Sequence, residues 1–326
     1  MSLRDELLRA ISEAARVYDH FSVGNRTRFD IVGAVTALDI PLIFRPLKKL
    51  WGATISVGNE KGVLITTVLD LHVQRFTLAH ELGHVLLGHQ LSLDESIGFA
   101  GRFGPVSRPV EERAADTFAS ELLAPKSLML AASKKHKWTK DALSDPRNIY
   151  QLGLRLGISF QATCWALAAQ EVLSEAAARN LQDETLKEIK QSLAPAQLIT
   201  NSWANVWKIT EDDTGSFLEA GPDDLFLFHL SDHASAGYLW QLVDAGPDSQ
   251  IVHEQKNVPD AYGAPTSRVL FLRFNAPGQH HLVFEHRRPW NKQRIAHIDI
   301  SIENYGKERG GFARKAREEA LALESA

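Results

Sequence analysis

The chain has 326 residues, with 36 basic and 40 acidic side chains and a formal charge of −4. That balance excludes a general polycation for nucleic acid, so any nucleic-acid contact must be a local patch. A single cysteine excludes an intrachain disulfide and fits a reducing compartment, and no apolar run reaches the ~18 residues that a membrane span needs. The length suits two domains of about 100–200 residues each. The opening stretch, Met1 to Leu8, carries Asp5 and Glu6 where a signal peptide would be apolar, so it reads as an amphipathic helix. The expectation is a cytoplasmic protein with no membrane partner.

The apolar run Phe76 to Gly88 contains His80-Glu81-Leu82-Gly83-His84. Residues four apart share a helix face, so both imidazoles can reach one ion, with Glu81 beside them as a general base. That is the arrangement of zinc hydrolases. The flanks Phe76, Leu78, Ala79, Leu82, Val85, Leu86 and Leu87 predict a largely buried helix, in which two imidazoles and a carboxylate need partners. Gly83 costs such a helix about 1 kcal/mol relative to Ala, which makes sense if another backbone passes close by. Ten positions after His80, where a third histidine would complete one known pattern, stands Gln90, and His89 falls one residue short. The third ligand is therefore expected to be a downstream carboxylate. The stretch Glu111 to Pro125 reads as a second strong helix, bracketed by Pro109 and Pro125. Glu112 and Asp116 lie on one of its faces, so Glu112 can bind the metal while Asp116 holds a ligand histidine from behind. Glu111 is the second choice for the ligand, and otherwise an ordinary acidic residue at a helix start.

These two helices resemble the ImmA/IrrE metallopeptidase family. Arg75 to Leu86 carries the first of the matching motifs and Glu112 to Pro125 the second, with Asp116 where the family commonly has Asn. Upstream, Ile40 to Leu47, Gly52-Ala53 and Val63 to Ile65 look like the family's small sheet before the zinc helix. The likeness covers roughly residues 8–175. It implies proteolysis of a partner: family members cleave a helix-turn-helix repressor on a signal such as DNA damage or phage infection, and the chain is similar to the peptidases paired with repressors in phage-defence (CBASS-type) operons.

Residues 149–170 read as helix, tight turn, helix, in the manner of a helix-turn-helix. The second helix has no Lys or Arg and only Gln161 and Gln170 as long polar side chains, a poor set for base edges and phosphates. It reads as packing surface. Cys164, within it, is either a buried apolar thiol or an inhibitory fourth zinc ligand in the manner of a cysteine switch.

Beyond residue 200 the pattern changes to short strands: Val206 to Ile209, Leu225 to Leu230, Tyr238 to Val243, Arg268 to Phe274, Gly278 to Glu285 and Arg294 to Ile302. Turn signals between them suggest a β-sandwich. Asp232 to Trp240, Leu270 to Leu282 and Arg288-Pro289-Trp290 resemble the chagasin-type inhibitors of cysteine peptidases, which have an immunoglobulin-like fold. The Gly237-Tyr238-Leu239-Trp240 part of the first loop matches, but the preceding Asn-Pro-Thr-Thr of that family does not. A sensor or interaction domain is therefore expected rather than an inhibitor. His286, Arg287, Arg288 and Lys292 beside Trp290 form a candidate contact for single-stranded DNA, set against a solvated loop around a structural Trp.

The expected fold class is α+β: a mainly helical zinc-peptidase domain with a small sheet over 1–195, an all-β immunoglobulin-like sandwich over 200–305, and a basic tail over 306–326 that reads as a solvated terminal helix. The expected activity is that of a zinc endopeptidase. His80, His84 and Glu112 hold one Zn2+, Glu81 is the base, and Asp116 orients a ligand. Manganese stays open because the ligands accept either ion. A helix-turn-helix repressor is the substrate and single-stranded DNA a candidate activator. The rival readings are a zinc-containing protein that titrates a repressor without cutting it, and a direct DNA-binding regulator acting through residues 149–170.

Overall fold

The computed structural model describes residues 2–22, 28–58, 60–89, 93–94, 108–257 and 266–317. The fold is α+β, and the chain forms two compact units. The first comprises Met1–Ala132, Leu152–Asp183 and Lys307–Ala326, and the second Ser133–Gln151 and Glu184–Gly306.

In the first unit, α1 (Leu3–Phe21) starts where the Ser2 side chain accepts from the Asp5 amide, and it buries Ala10, Ala14 and Val17 on one stripe. After α2 (Ile31–Ala37), β1 (Leu42–Arg45), β2 (Gly52–Val57) and β3 (Glu60–Thr66) form a small sheet. In it β1 runs parallel and β2 antiparallel to β3. The helix α3 (Leu71–Leu87) is capped by Asp70, which accepts from the Val73 amide, and is buried on all sides from Gln74 to His84. It ends at Gly88, whose left-handed φ of 70° favours glycine. The two-residue β4 (Leu93–Asp94) pairs with β2, and α4 (Val110–Leu123) packs Ala114, Ala115, Phe118, Ala119 and Leu122 into the core.

Two further helices, α5 (Lys126–Lys135) and α6 (Pro146–Leu156), carry residues assigned to each unit. Gly157, at φ +71°, turns the chain into α7 (Phe160–Ala169), which Ser159 caps. Residues 149–170 thus do form helix, turn, helix. α7 buries Phe160, Ala162, Thr163, Cys164, Ala166, Leu167 and Ala168, so it is a packing helix with little face left to read a groove. The helices α8 (Glu175–Asn180) and α9 (Leu186–Leu193) follow.

The second unit holds β5 (Val206–Ile209), β6 (Ser216–Glu219), β7 (Leu225–Asp232), β8 (Leu239–Asp244), β9 (Ser249–Asn257), β10 (Thr266–Phe274), β11 (Gln279–Arg287) and β12 (Arg294–Glu303). They make two four-stranded sheets, ordered β5-β7-β10-β9 and β6-β12-β11-β8. The rings of Phe228 and Phe284 meet between the sheets, 4.6 Å apart. The outer edge of β5 is satisfied by side chains: Gln151 donates to the Val206 carbonyl (2.7 Å) and accepts from the Lys208 amide (2.8 Å). Buried Asp224 organises the turn before β7, accepting from the Trp207 indole and from the Asn205 and Gly221 amides at 2.7–2.9 Å. The strands β6 and β9 carry no clear signal in the sequence. The first is four residues long, and the second is a polar edge strand with only half its hydrogen bonds to satisfy.

The described part of the tail, up to Arg317, does not stand apart as a solvated helix. Its β13 (Gly311–Phe312) pairs antiparallel with β1, extending the first sheet to the order β13-β1-β3-β2-β4. Gln74 of α3 both donates to the Glu308 carbonyl (3.1 Å) and accepts from its amide (2.9 Å). A two-residue strand is too short to leave a periodic pattern, which is why the sequence does not foretell it. Among the described residues no helix is long and apolar enough to cross a membrane. Gln74→Ala strips the Glu308 backbone of both partners and should lower the unfolding free energy by about 1–3 kcal/mol, measured as a shift of the urea midpoint at unchanged slope.

Candidate metal centre

The helix α3 places His80 and His84 one turn apart with their Nε2 atoms 3.0 Å from each other. Glu112, near the start of α4, brings Oε2 to 3.5 Å from His80 Nε2 and Oε1 to 3.4 Å from His84 Nε2. The three side chains form a group able to hold a metal ion, with ligand atoms all within 4.8 Å of one another. Donors at the ~2.0–2.1 Å bond lengths of zinc would sit about 3.3 Å apart on the edges of a tetrahedron. The observed separations are close to that, and two neutral imidazoles with one carboxylate suit the ion chemically.

The back of the site is built to keep these donors facing inward. Asp116 Oδ1 lies 2.9 Å from His80 Nδ1, which directs the other ring nitrogen toward the cluster. Arg108 binds Asp116 Oδ2 at 3.0 Å and Glu112 Oε2 at 3.3 Å, bridging the two carboxylates. Burial pushes the Asp116 carboxyl above the usual carboxylate range, although the adjacent His80 ring and the charge of Arg108 pull the other way. Behind His84, His89 Nδ1 lies 2.9 Å from His84 Nδ1, and its other nitrogen lies 3.2 Å from Glu6 Oε1.

Glu81 is fully buried beside the two histidines. Thr54 of β2 donates to its Oε2 at 2.8 Å, fixing the carboxylate against the sheet. Gly52 makes that approach possible, because a Cβ there would stand 2.6 Å from Glu81 Oε1 and 2.6 Å from Thr77 Cγ2. Gly83 plays the corresponding part between helices: its missing Cβ would meet Phe118 Cδ1 at 3.1 Å and the Ala115 Cα at 3.3 Å.

The structure thus gathers His80, Glu81, His84, Glu112 and Asp116. Glu111 is exposed in the first turn of α4, away from the group, and Gln90 lies outside the described residues. Cys164 is not in the group: it is buried on α7, where burial pushes its thiol up to about 12. That opposes a thiolate and gives an inhibitory fourth ligand no support. Arg108, Thr54, Gly52, His89 and Glu6 escape sequence reasoning. Only His89, at the end of the apolar helix, leaves a local signal.

In the second unit, Trp290 is 75% exposed. It packs on the loop before β8, where a Cβ on Gly237 would meet its ring at 2.9 Å. Arg288 lies 4.7 Å over the Tyr238 ring and donates to the Ala236 carbonyl. Arg287 pairs with Glu285 at 3.2 Å, and Lys292 is exposed. Of Arg287, Arg288, Trp290 and Lys292, then, the last two face solvent most freely, while both arginines already have partners.

A buried helix bearing two histidines and a carboxylate, completed by a carboxylate from the next long helix, presents a group of side chains that could hold a metal ion. Residues 36–168 match the family model described as IrrE N-terminal-like domain (Peptidase_M78), and residues 220–302 match that of the Chagasin family peptidase inhibitor I42. The chain therefore joins an IrrE-like domain of the M78 metallopeptidase family to a chagasin-family domain. No curated protein matches it. Among solved structures it is similar to the cysteine protease inhibitor EhICP2 from Entamoeba histolytica, at 18% identity over 31% of this chain and 96% of that one, TM-score 0.29. It is similar to amebosin at 16% identity over 31% and 97%, TM-score 0.25. A Mycobacterium tuberculosis transcriptional regulator is similar at 13% identity over 83% and 79%, TM-score 0.32.

Asp116→Ala should weaken zinc binding about 10–100-fold, read by competition with a chromophoric chelator. Gly52→Ala should leave zinc affinity near the parent value but displace Glu81 and lower peptide cleavage by about 100-fold, which single-turnover cleavage assays would register.

Proposed function

We propose that this chain is a zinc-dependent endopeptidase of the cytoplasm that cleaves a cognate helix-turn-helix transcriptional repressor when a signal such as DNA damage or phage infection arrives. The observation that carries this reading is the convergence of His80, His84 and Glu112 on one point with buried Glu81 beside it. One zinc held by those three residues supplies Lewis acidity toward water and the scissile carbonyl. Glu81 takes the proton from the attacking water as its oxygen bonds to the carbonyl carbon. It then delivers that proton to the departing amine nitrogen as the C–N bond breaks. Thr54 keeps Glu81 oriented through this exchange, and Asp116 keeps His80 oriented.

The chagasin-family domain serves as the receiver of the signal. Exposed Trp290 with Lys292, Arg287 and Arg288 offers stacking and positive charge to single-stranded DNA. The departure of residues 232–236 from the inhibitor loop speaks against inhibition of a cysteine peptidase.

The test is incubation of the protein with the helix-turn-helix protein encoded beside it, with and without single-stranded DNA, read by intact-mass spectrometry. A single discrete cut is expected, abolished in Glu81→Gln although that variant still binds one zinc. A stable complex with no cut under either condition would instead mark a titrating regulator.

A further inference from the structure

The line of contacts behind His84 is not explained by the helix motif. Where α3 ends, left-handed Gly88 reverses the chain, and the His89 amide bonds back to the His84 carbonyl at 3.0 Å. This turn carries the His89 ring beneath the His84 ring, with centroids 4.9 Å apart and the two Nδ1 atoms 2.9 Å apart. The far nitrogen of His89 reaches Glu6 Oε1 at 3.2 Å, on a helix 83 residues away in sequence. The His89 and Glu6 side chains are only 6% and 7% exposed.

The direction of the protons follows from the cluster. His84 Nε2 faces His80 Nε2 and Glu112, so to donate electrons to an ion held there it would have to be bare, which would put its proton on Nδ1. That Nδ1–H donates to His89 Nδ1, which must then be the bare nitrogen of His89. The His89 proton is left on Nε2, facing the Glu6 carboxylate. Glu6 terminates the line, and Arg9 stands 3.4 Å from the same oxygen.

We infer that His89 and Glu6 are positioning residues that lock His84 in its metal-binding tautomer, as Asp116 does for His80. The two ligand histidines thus receive different supports: a carboxylate directly for His80, and an imidazole backed by a carboxylate for His84. The inference rests on the proposed metal centre.

The experiment compares the full-length chain with His89→Phe, His89→Asn and Glu6→Gln. Zinc affinity is read by chelator competition. The His84 tautomer is read on metal-free protein from long-range proton–nitrogen NMR correlations, with circular dichroism and a denaturation midpoint to verify folding. The parent should show a single Nδ1–H tautomer at His84. His89→Phe, which cannot accept that proton, should show mixed tautomers and about 10–100-fold weaker zinc binding. His89→Asn, whose side-chain oxygen can accept it, should recover most of the affinity. Glu6→Gln, which keeps volume and an acceptor, should keep the fold and fall between. Parent-like tautomer and affinity in His89→Phe, or equal losses in His89→Phe and His89→Asn, would overturn the inference. A parent chain that binds no zinc would sink the peptidase reading instead, and the tautomer spectra would then decide the locking of His84 on their own.

Discussion

The close approach of α4 to α3 at Gly83 is the constraint on which the centre depends. A single turn of α3 can present two histidines, but two imidazoles make an incomplete site. The third donor comes from α4, whose Ala115 backbone and Phe118 ring pack within 3.1–3.3 Å of where a Gly83 Cβ would stand. With the helices at that distance, Glu112 and Asp116 reach the ligand face from one side of α4. The helix-propensity cost of Gly83 is thus offset by a close helix contact that a Cβ would crowd, at 3.1 Å from Phe118 Cδ1.

Burying so many ionisable groups in one place demands that each be answered. His80 is met by Asp116, His84 by His89, Glu81 by Thr54, and the carboxylates of Asp116 and Glu112 by Arg108. This is an interlocked set, in which removal of one member leaves another buried without its complement. A metal held by His80, His84 and Glu112 would add positive charge beside Glu112, Asp116 and the enclosed Glu81. The sheet contributes as well, since β2 supplies both Thr54 and the bare backbone at Gly52 that lets Glu81 lie flat against it.

The parts of this arrangement legible in the sequence are those written in helical period. His80 and His84, and likewise Glu112 and Asp116, are four apart, and the apolar flanks announce burial. The alternating strands β5, β7, β8, β10, β11 and β12 are legible for the same reason. Glu6, Arg108 and Thr54 reach the site across the tertiary fold and have no local period to betray them. Gln74 looks like any polar residue on a helix, yet it ties α3 to the returning tail. Of the two readings of Cys164, its burial on α7 among Phe160, Thr163 and Leu167 favours the buried apolar thiol.

Within one compact unit, α1 brings Glu6 to His89 just past α3, the tail brings Glu308 to Gln74 of α3, and β13 pairs with β1. The most direct test of the account is X-ray absorption at the zinc edge on protein loaded with one equivalent of zinc. The account predicts nitrogen and oxygen donors only, at about 2.0–2.1 Å, with the multiple scattering of two imidazoles. A sulfur donor at about 2.3 Å, or an ion with no imidazole scattering, would contradict it.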